Sequence, residues 1–582
     1  MDVLTKKCFS LSEISKVMLS KIFESIAGDK DLTLQKEIIP PLQRICGVTW
    51  LRENEIKQIF TLDSIATNRP NKQVYLIYTN YKTFSKVINL VRSQLDPDNA
   101  PKDKYHVVCI PQKLHVYDTI LERLGLFEII QLHSMQWYPI SIDAGILSLE
   151  IPNMYKQIFL NDDLTLIMQY ARSIFHLNMV FGKPKFMMSV GEKSSIVMKQ
   201  FQDHYKHNES KSDFGGLVIC DRSLDYPSAL LTPGTYSAML KEVYDIKAGQ
   251  CECKDVEKSK QFEKFTLDGS SDKVYDDIKY KHFIEVTAIL SAQTKKLRNE
   301  GEYSKSMALE EMKEYVRTQL KEINERKKLV ATHLNAAETI VSNFLDRFNK
   351  QVEVERGIMQ NKSKSTHFQF LMQQLETSAD PKSVLALMCL IGITQGIAES
   401  DYKKFMLSYM EKFGFQADQL GLHDNLVKAK FIEESMSLTI ASLSSKLRKT
   451  LTNAFYTNAN KLKLIPSDPE KVNLKTPNCF SYVFGGNYVP LVTQIASMLF
   501  CSTPIEEVKS KLSPLGPVHV EHNNLYPLLN KSLIILVIGG VTYSEVAACN
   551  LLENLLGAKI VLVSDSIISS SDISEALSNT YS

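Results

Sequence analysis

Gly216-Leu217-Val218-Ile219-Cys220-Asp221-Arg222-Ser223-Leu224-Asp225, continued through Tyr226-Pro227 and Thr232-Pro233-Gly234-Thr235 to Tyr236 and Ile246, carries most of the architectural information in this chain. Leu217 to Cys220 is a short apolar run that predicts a buried strand ending on Asp221-Arg222. A proline-containing connection follows, and then a helix that places Tyr236, Leu240 and Tyr244 on one face at four-residue spacing. A strand that closes on charged residues and feeds a helix is half of a doubly wound α/β unit. Nucleotide enzymes begin this way, yet no phosphate loop or nucleophile elbow accompanies the stretch. Asp221, Arg222 and Asp225 admit an acid–base cluster, because paired carboxylates can divide proton-transfer roles. With no histidine or glycine-rich loop attached, they read instead as an arginine held between two aspartates at a strand end.

The C-terminal region shows the same grammar. Leu533 to Ile538 predicts a buried strand, Gly539-Gly540 a tight turn, and Thr542 with Glu545 a capping box stapled by Val541 and Val546. The helix ends near Gly557, and Lys559 to Val563 is the next strand of a right-handed crossover. The turn at 539–542 has the look of a phosphate cradle at a helix N-terminus. It lacks the lysine and the magnesium-binding hydroxyl of a phosphate loop, and Glu545 would repel a phosphate, so it reads as a turn only. Between Asp31 and Tyr138, the strands Val74–Tyr78 and His106–Ile110 flank a helix with Phe84, Val87, Ile88 and Val91 on one side, and Asp96 to Pro101 is a return turn. Leu164 to Leu177 is helical, and Lys183 to Phe186 leads into a further helix.

From Asp272 to Phe348 the pattern is helical almost throughout. Met312, Val316, Leu320 and Ile323 form an apolar stripe that Val330, Leu334, Ala337, Val341 and Leu345 continue. Asn324 to Lys328 interrupts it with five polar residues, predicting either a long kinked helix or a helical hairpin with this polar tip. Met307, Met312, Tyr315 and Gln319 offer adaptable contact groups, and Arg317, Lys321, Arg326, Lys327 and Lys328 offer positive charge. That combination suits helix-against-helix recognition of an amphipathic, acidic partner. Asn361 to Thr366 is a polar linker, followed by helices at Leu385–Ile393 and Tyr402–Phe413.

Composition narrows the function classes. A chain of 582 residues implies two to four domains, and 68 basic against 66 acidic side chains argue against nucleic acid as the main partner. The ten cysteines show no disulfide or zinc spacing, and Cys251-Glu252-Cys253 has no second pair nearby, as expected for reduced thiols. The pairs His204/His207 and His519/His522 lack further ligands, so neither metal nor other cofactor is expected. The N-terminus has no signal-peptide core, and the longest apolar run, Leu533 to Val541, falls far short of the roughly 20 residues a membrane span requires. These features predict a cytosolic, soluble, non-enzymatic chain that meets membranes only through partners. No solenoid-type repeat is visible.

The signature at 221–236, Asp-Arg-x-x-Asp with Pro227, Leu230-Leu231 and Tyr236, resembles that of the Sec/Munc (SM) family of SNARE-binding fusion proteins. Gly539-Gly540-x-Thr542-Tyr543-Ser544-Glu545 and Ser481-Tyr482-Val483 with Tyr488-Val489-Pro490-Leu491 resemble further family motifs, as do 276–283, 333–338 and 385–390. Ala386, Gln395-Gly396 and Cys549-Asn550 depart from the family pattern. Asp31 to Leu62 and Pro139 to Glu150 are similar to the class C vacuolar-sorting branch. The resemblance implies an arch of α/β plus all-α domains: α/β domain 1 at 1–138, and α/β domain 2 at 139–246 and 478–582. A helical domain 3 at 247–477 is inserted in the second, divided at about 366. It implies a SNARE-binding subunit of a tethering complex on late endosomes and lysosomes that templates or protects SNARE assembly, with a class C tethering subunit docked on the helical domain. Asp221, Arg222, Asp225, Tyr236, Gly539, Gly540, Thr542 and Glu545 would be structural. The competing readings are an unrecognised nucleotide hydrolase and an adaptor without SNARE contact.

Overall fold

The computed structural model describes residues 3–578 except 65–69, 96–103, 205–213, 254–262, 304–319, 379, 414–418, 435–449, 523–527 and 529–530. The expected turn at 96–101 lies outside the described residues. Strands β1 (Lys30–Leu34), β2 (Ile56–Thr61), β3 (Lys72–Tyr78), β4 (Tyr105–Ile110) and β5 (Ile130–Ser134) form a parallel sheet in the order β2-β1-β3-β4-β5. The middle strands are buried on both faces, the usual state of a parallel sheet covered by helices on each side. The helix Tyr81–Gln94 starts where the Asn80 side chain accepts from the Thr83 amide, and it buries Phe84, Val87, Ile88 and Val91 as its periodicity predicts.

A second sheet uses β6 (Ile140–Asp143), β7 (Ile146–Ser148), β8 (Phe186–Val190) and β9 (Gly216–Asp221) from one part of the chain. After a small hairpin of β10 (Gln250–Cys253) and β11 (Glu263–Thr266), three more strands join it: β12 (Val518–His522), β13 (Ser532–Ile538) and β14 (Lys559–Ser564). The order is β12-β8-β9-β13-β14-β7-β6, so β9 lies beside a strand more than 300 residues later. Residues 186–190 correct the sequence reading. Lys183 to Phe186 leads first into β8, and only then into the helix Glu192–His204. Five consecutive buried residues, two of them methionines, give no alternating pattern from which the strand can be recognised.

The intervening region is helical. Helices Phe283–Tyr303 and Leu320–Met359 pack on one another, the second spanning 40 residues, or about 60 Å. The expected polar linker is shorter than 361–366, because a helix already begins at Lys364. Helix Pro381–Thr394 is apolar on every face and buried from Val384 to Ile391, so it serves as the core of its subdomain. Ala386 sits inside that core, and Gln395 binds the Lys362 carbonyl and the His367 ring, which are the local contacts at two departures from the family pattern. The final helix, Ser570–Ser578, packs against Pro381–Thr394 and ties this subdomain to the second sheet. Among the described residues no helix is long and apolar enough to cross a membrane.

Candidate partner-binding site

The signature residues are brought together, but not in the pairing the sequence suggests. Arg222 is 1 % exposed, and its Nη1 donates to both carboxylate oxygens of Glu545 at 2.8 Å. Its Nη2 donates to the Asp225 carbonyl and lies 3.7 Å from that residue's carboxylate. The clamp is therefore Glu545 and Asp225, not two aspartates. Burial alone would lower the Arg222 pKa, but these carboxylates hold it above its ordinary value. Asp221 turns away and caps the neighbouring helix Glu192–His204, accepting from the amides of Lys193 and Ser194 at 2.9 and 2.7 Å. Asp225 accepts from Ser228, from the Tyr488 hydroxyl at 2.9 Å and from the Leu491 amide at 2.8 Å, which fixes the start of helix Leu491–Phe500.

Glu545 does double duty, because the capping box with Thr542 is formed as expected. Beside it, the amides of Gly539 and Gly540 point at Asp565 Oδ1 from 2.8 and 3.0 Å, and the Tyr170 hydroxyl donates to the same atom. The anion position of this turn is occupied by the protein's own carboxylate. That supplies the physical reason why a cradle-like sequence reads as a turn and not as a phosphate site.

The signature also grips the long helical arm. Tyr236 Oη lies 2.9 Å from His333 Nδ1, and His333 Nε2 lies 2.9 Å from Asp272 Oδ2. Asp272 also caps the helix Lys273–Ile278; burial would raise its pKa, but the His333 and Tyr275 hydrogen bonds keep it below the ordinary value. This Asp–His–Tyr array has the connectivity of a proton relay, but all three groups are buried and Tyr236 has no exposed surface. It is an anchor. A second anchor lies about 33 Å along the helix, where Glu355 accepts from the Thr232 amide and hydroxyl at 3.1 and 2.6 Å. Sequence reasoning missed His333, Asp272, Thr232 and Glu355. The available signal was a histidine on the face of a helix that buries Val330, Ala337 and Ile340.

Burial pushes the Glu355 carboxyl up from 4.5 to about 7. The folded chain thus keeps a proton that the unfolded chain releases. Its contribution is full below the unfolded value and is lost as pH rises through the folded one. The urea stability of Glu355→Gln should therefore exceed that of the wild type by about 1–3 kcal/mol at about pH 8, with the gap closing towards about pH 5. A gap that is independent of pH would contradict the assignment.

The contact residues proposed from sequence separate into two groups. Met307, Met312, Tyr315 and Gln319 lie outside the described residues. Arg326, Lys327 and Lys328 do not form a hairpin tip: Asn324 to Lys328 lies within the helix Leu320–Met359. Consecutive polar residues do not break a helix when each is a tolerable helix former, and the apolar stripe resumes at Leu329 and Val330. Lys327 and Lys328 are exposed, as is Lys321, whereas Arg326 is half-buried. The histidine pair at 519 and 522 falls on β12, and His207 lies outside the described residues.

Comparison with known proteins bears on this arrangement. The Sec1 family profile matches residues 30–576. Vacuolar protein sorting-associated protein 33B of Danio rerio is 24% identical over 600 residues, covering 97% of this chain and 96% of the relative. The vacuolar protein-sorting-associated protein 33 homolog of Arabidopsis thaliana is 20% identical, covering 95% and 94%. Among solved structures, the SM protein Vps45 in complex with the Qa SNARE Tlg2 superposes with a TM-score of 0.61 at 14% identity, covering 99% of this chain and 98% of that one. The Unc18–syntaxin 1 complex from Monosiga brevicollis gives 0.61 at 12% identity, covering 97% and 99%.

Proposed function

This chain belongs to the Sec1 family, and from that premise we propose that it binds SNARE helices along its long helical arm and promotes fusion at vacuolar or lysosomal membranes. The observation that carries the reading is the whole-chain likeness, helical arm included, to SM proteins solved with their SNAREs. Relatives named for vacuolar protein sorting support a place on late endosomes and lysosomes, in the cytoplasm and peripheral to the membrane. A tethering subunit would dock on the helical domain, which reaches the second sheet through Ser570–Ser578. The arm acts as a template: anchored at His333 and Glu355, it offers a preordered surface that lowers the entropy partner helices must lose on zippering.

The direct test uses Lys327→Glu/Lys328→Glu, which leaves half-buried Arg326 in place. Association with a SNARE complex should slow about three- to tenfold at low salt and lose much of its salt dependence, because steering by these exposed charges is removed. Melting should shift by no more than about 0.5 kcal/mol per site. Unchanged association at both low and high salt would remove this stretch of the arm from the binding surface.

We also propose that the chain is not an enzyme. The nearest thing to a phosphate site is filled by Asp565, and Asp221 is spent on a helix cap. Purified protein should show no magnesium-dependent ATP or GTP turnover. A turnover that disappears in Asp221→Ala would overturn this reading.

A further inference from the structure

Beyond the arm, a cavity of about 670 Å³ opens where the two sheets approach one another. It is lined by residues 150–156 after β7, 241–249 after the signature helix, 566–573 after β14, and Glu37 and Tyr78 from the side of the first sheet. Its volume lies in the range of ligand sites, and the carboxyl edge of a parallel sheet is where such folds place ligands. Three of its lysines are cancelled by neighbours: Lys241 by Asp572 at 3.2 Å, Lys247 by Asp245 at 3.2 Å and Lys382 by Glu575 at 2.6 Å. Lys156 also lines the cavity, and Glu37, Glu150 and Glu242 make no ion pair among the described residues, so six carboxylates face four lysines and an excess of carboxylate remains. Independently, Tyr543 lines the cavity at 1 % exposure, and its hydroxyl has no hydrogen-bond partner among the described residues. Glu150, Asn153 and Ala248 hold left-handed backbone at φ 46, 62 and 48° around the same space, a concentration of strain typical of binding sites. Ile151, Val243, Ile246 and Ile568 supply apolar wall between the acids.

We propose that this cavity receives a short basic segment of a partner protein, an arginine or lysine flanked by apolar residues, with the cation against Glu150, Glu242 and the Tyr543 hydroxyl. The inference rests on the partner-binding reading and adds a second site, away from the exposed lysines of the arm, with its own chemistry. Burial raises the pKa of both acids, Glu242 to about 7, outweighing the opposing pull of Lys241, and an incoming cation would stabilise their charged forms. The apolar wall favours a peptide over a free polyamine, which would leave that wall uncovered.

The test uses the full chain and a fluorescein-labelled hexapeptide, Leu-Ile-Arg-Lys-Ile-Leu, read by anisotropy. It should bind about tenfold tighter than its counterpart with two glutamates, and Glu150→Gln/Glu242→Gln should weaken it about tenfold, the usual effect of losing charge-assisted hydrogen bonds. Tyr543→Phe should weaken it about threefold without loss of stability, since a merely structural tyrosine with an orphan hydroxyl would leave binding unmoved. Asp245→Lys, at an exposed rim position, places a competing cation there without touching the core and should weaken binding should the double variant not fold. The idea fails if binding is not saturable up to about 1 mM, if the acidic peptide binds equally, or if the folded variants keep wild-type affinity. Spermidine binding as tightly as the peptide would assign the site to a free cation and also overturn it. SNARE-complex association measured on the same variants should be retained, so a failure of the cavity and a failure of the arm are read separately.

Discussion

Arg222→Ala should cost about 3–5 kcal/mol of stability, the range for removing one partner of a buried ion pair. The guanidinium is 1 % exposed and Glu545 is wholly buried, so its loss leaves a carboxylate without a counter-charge in the core of the second α/β unit. Burial already raises the Glu545 pKa despite the arginine, and removing the arginine raises it further. The double variant Arg222→Ala/Glu545→Gln should be less destabilised than Arg222→Ala alone, because no lone charge remains. Urea unfolding of the two variants decides the matter. A loss under about 1 kcal/mol for Arg222→Ala would show that the pair is not load-carrying in the folded chain.

The second large effect is expected at the turn between β13 and its helix. Gly540 has φ 105° and Gly539 φ 93°, conformations in which a β-branched residue is strained by about 1–3 kcal/mol. Space adds to the strain: a Cβ on Gly540 would lie 2.5 Å from Ile568 Cγ2, and overpacking of this kind costs a further 1–3 kcal/mol or so. Gly540→Val should thus lose about 2–6 kcal/mol and much of its soluble yield. Gly540→Ala meets the same φ with less bulk and should fall between the two. A melting temperature equal to that of the wild type for Gly540→Val would contradict the turn geometry.

Several features were legible because they are written in neighbouring residues. Strands β3, β4, β9, β13 and β14 announced themselves as apolar runs, the helix Tyr81–Gln94 by its spacing, and the Thr542/Glu545 box and the Gly539-Gly540 turn by residue type. Each depends on backbone geometry and contacts within about one turn of helix or one strand. β8 escaped, because five buried residues in a row carry no period, and the polar run Asn324 to Lys328 left a long helix and a hairpin both open, of which the structure has the helix.

The charge pairing was a different kind of question. Asp221, Arg222 and Asp225 stand together in sequence and suggested one cluster, yet Asp221 belongs to the helix at 192 and Arg222 to Glu545, 323 residues away. The anchors at His333 and Glu355, and the cavity shared by Glu150, Glu242 and Tyr543, likewise join segments that no local pattern relates. The sequence by itself determined β3, β4, β9, β13 and β14, the helix Tyr81–Gln94, the Thr542/Glu545 cap and the family, since short-range sterics and hydrophobic period act on adjacent residues. Which buried charge meets which was decided only by the tertiary structure, because a desolvated ion takes the partner that sheet order brings within a few ångströms, however distant along the chain.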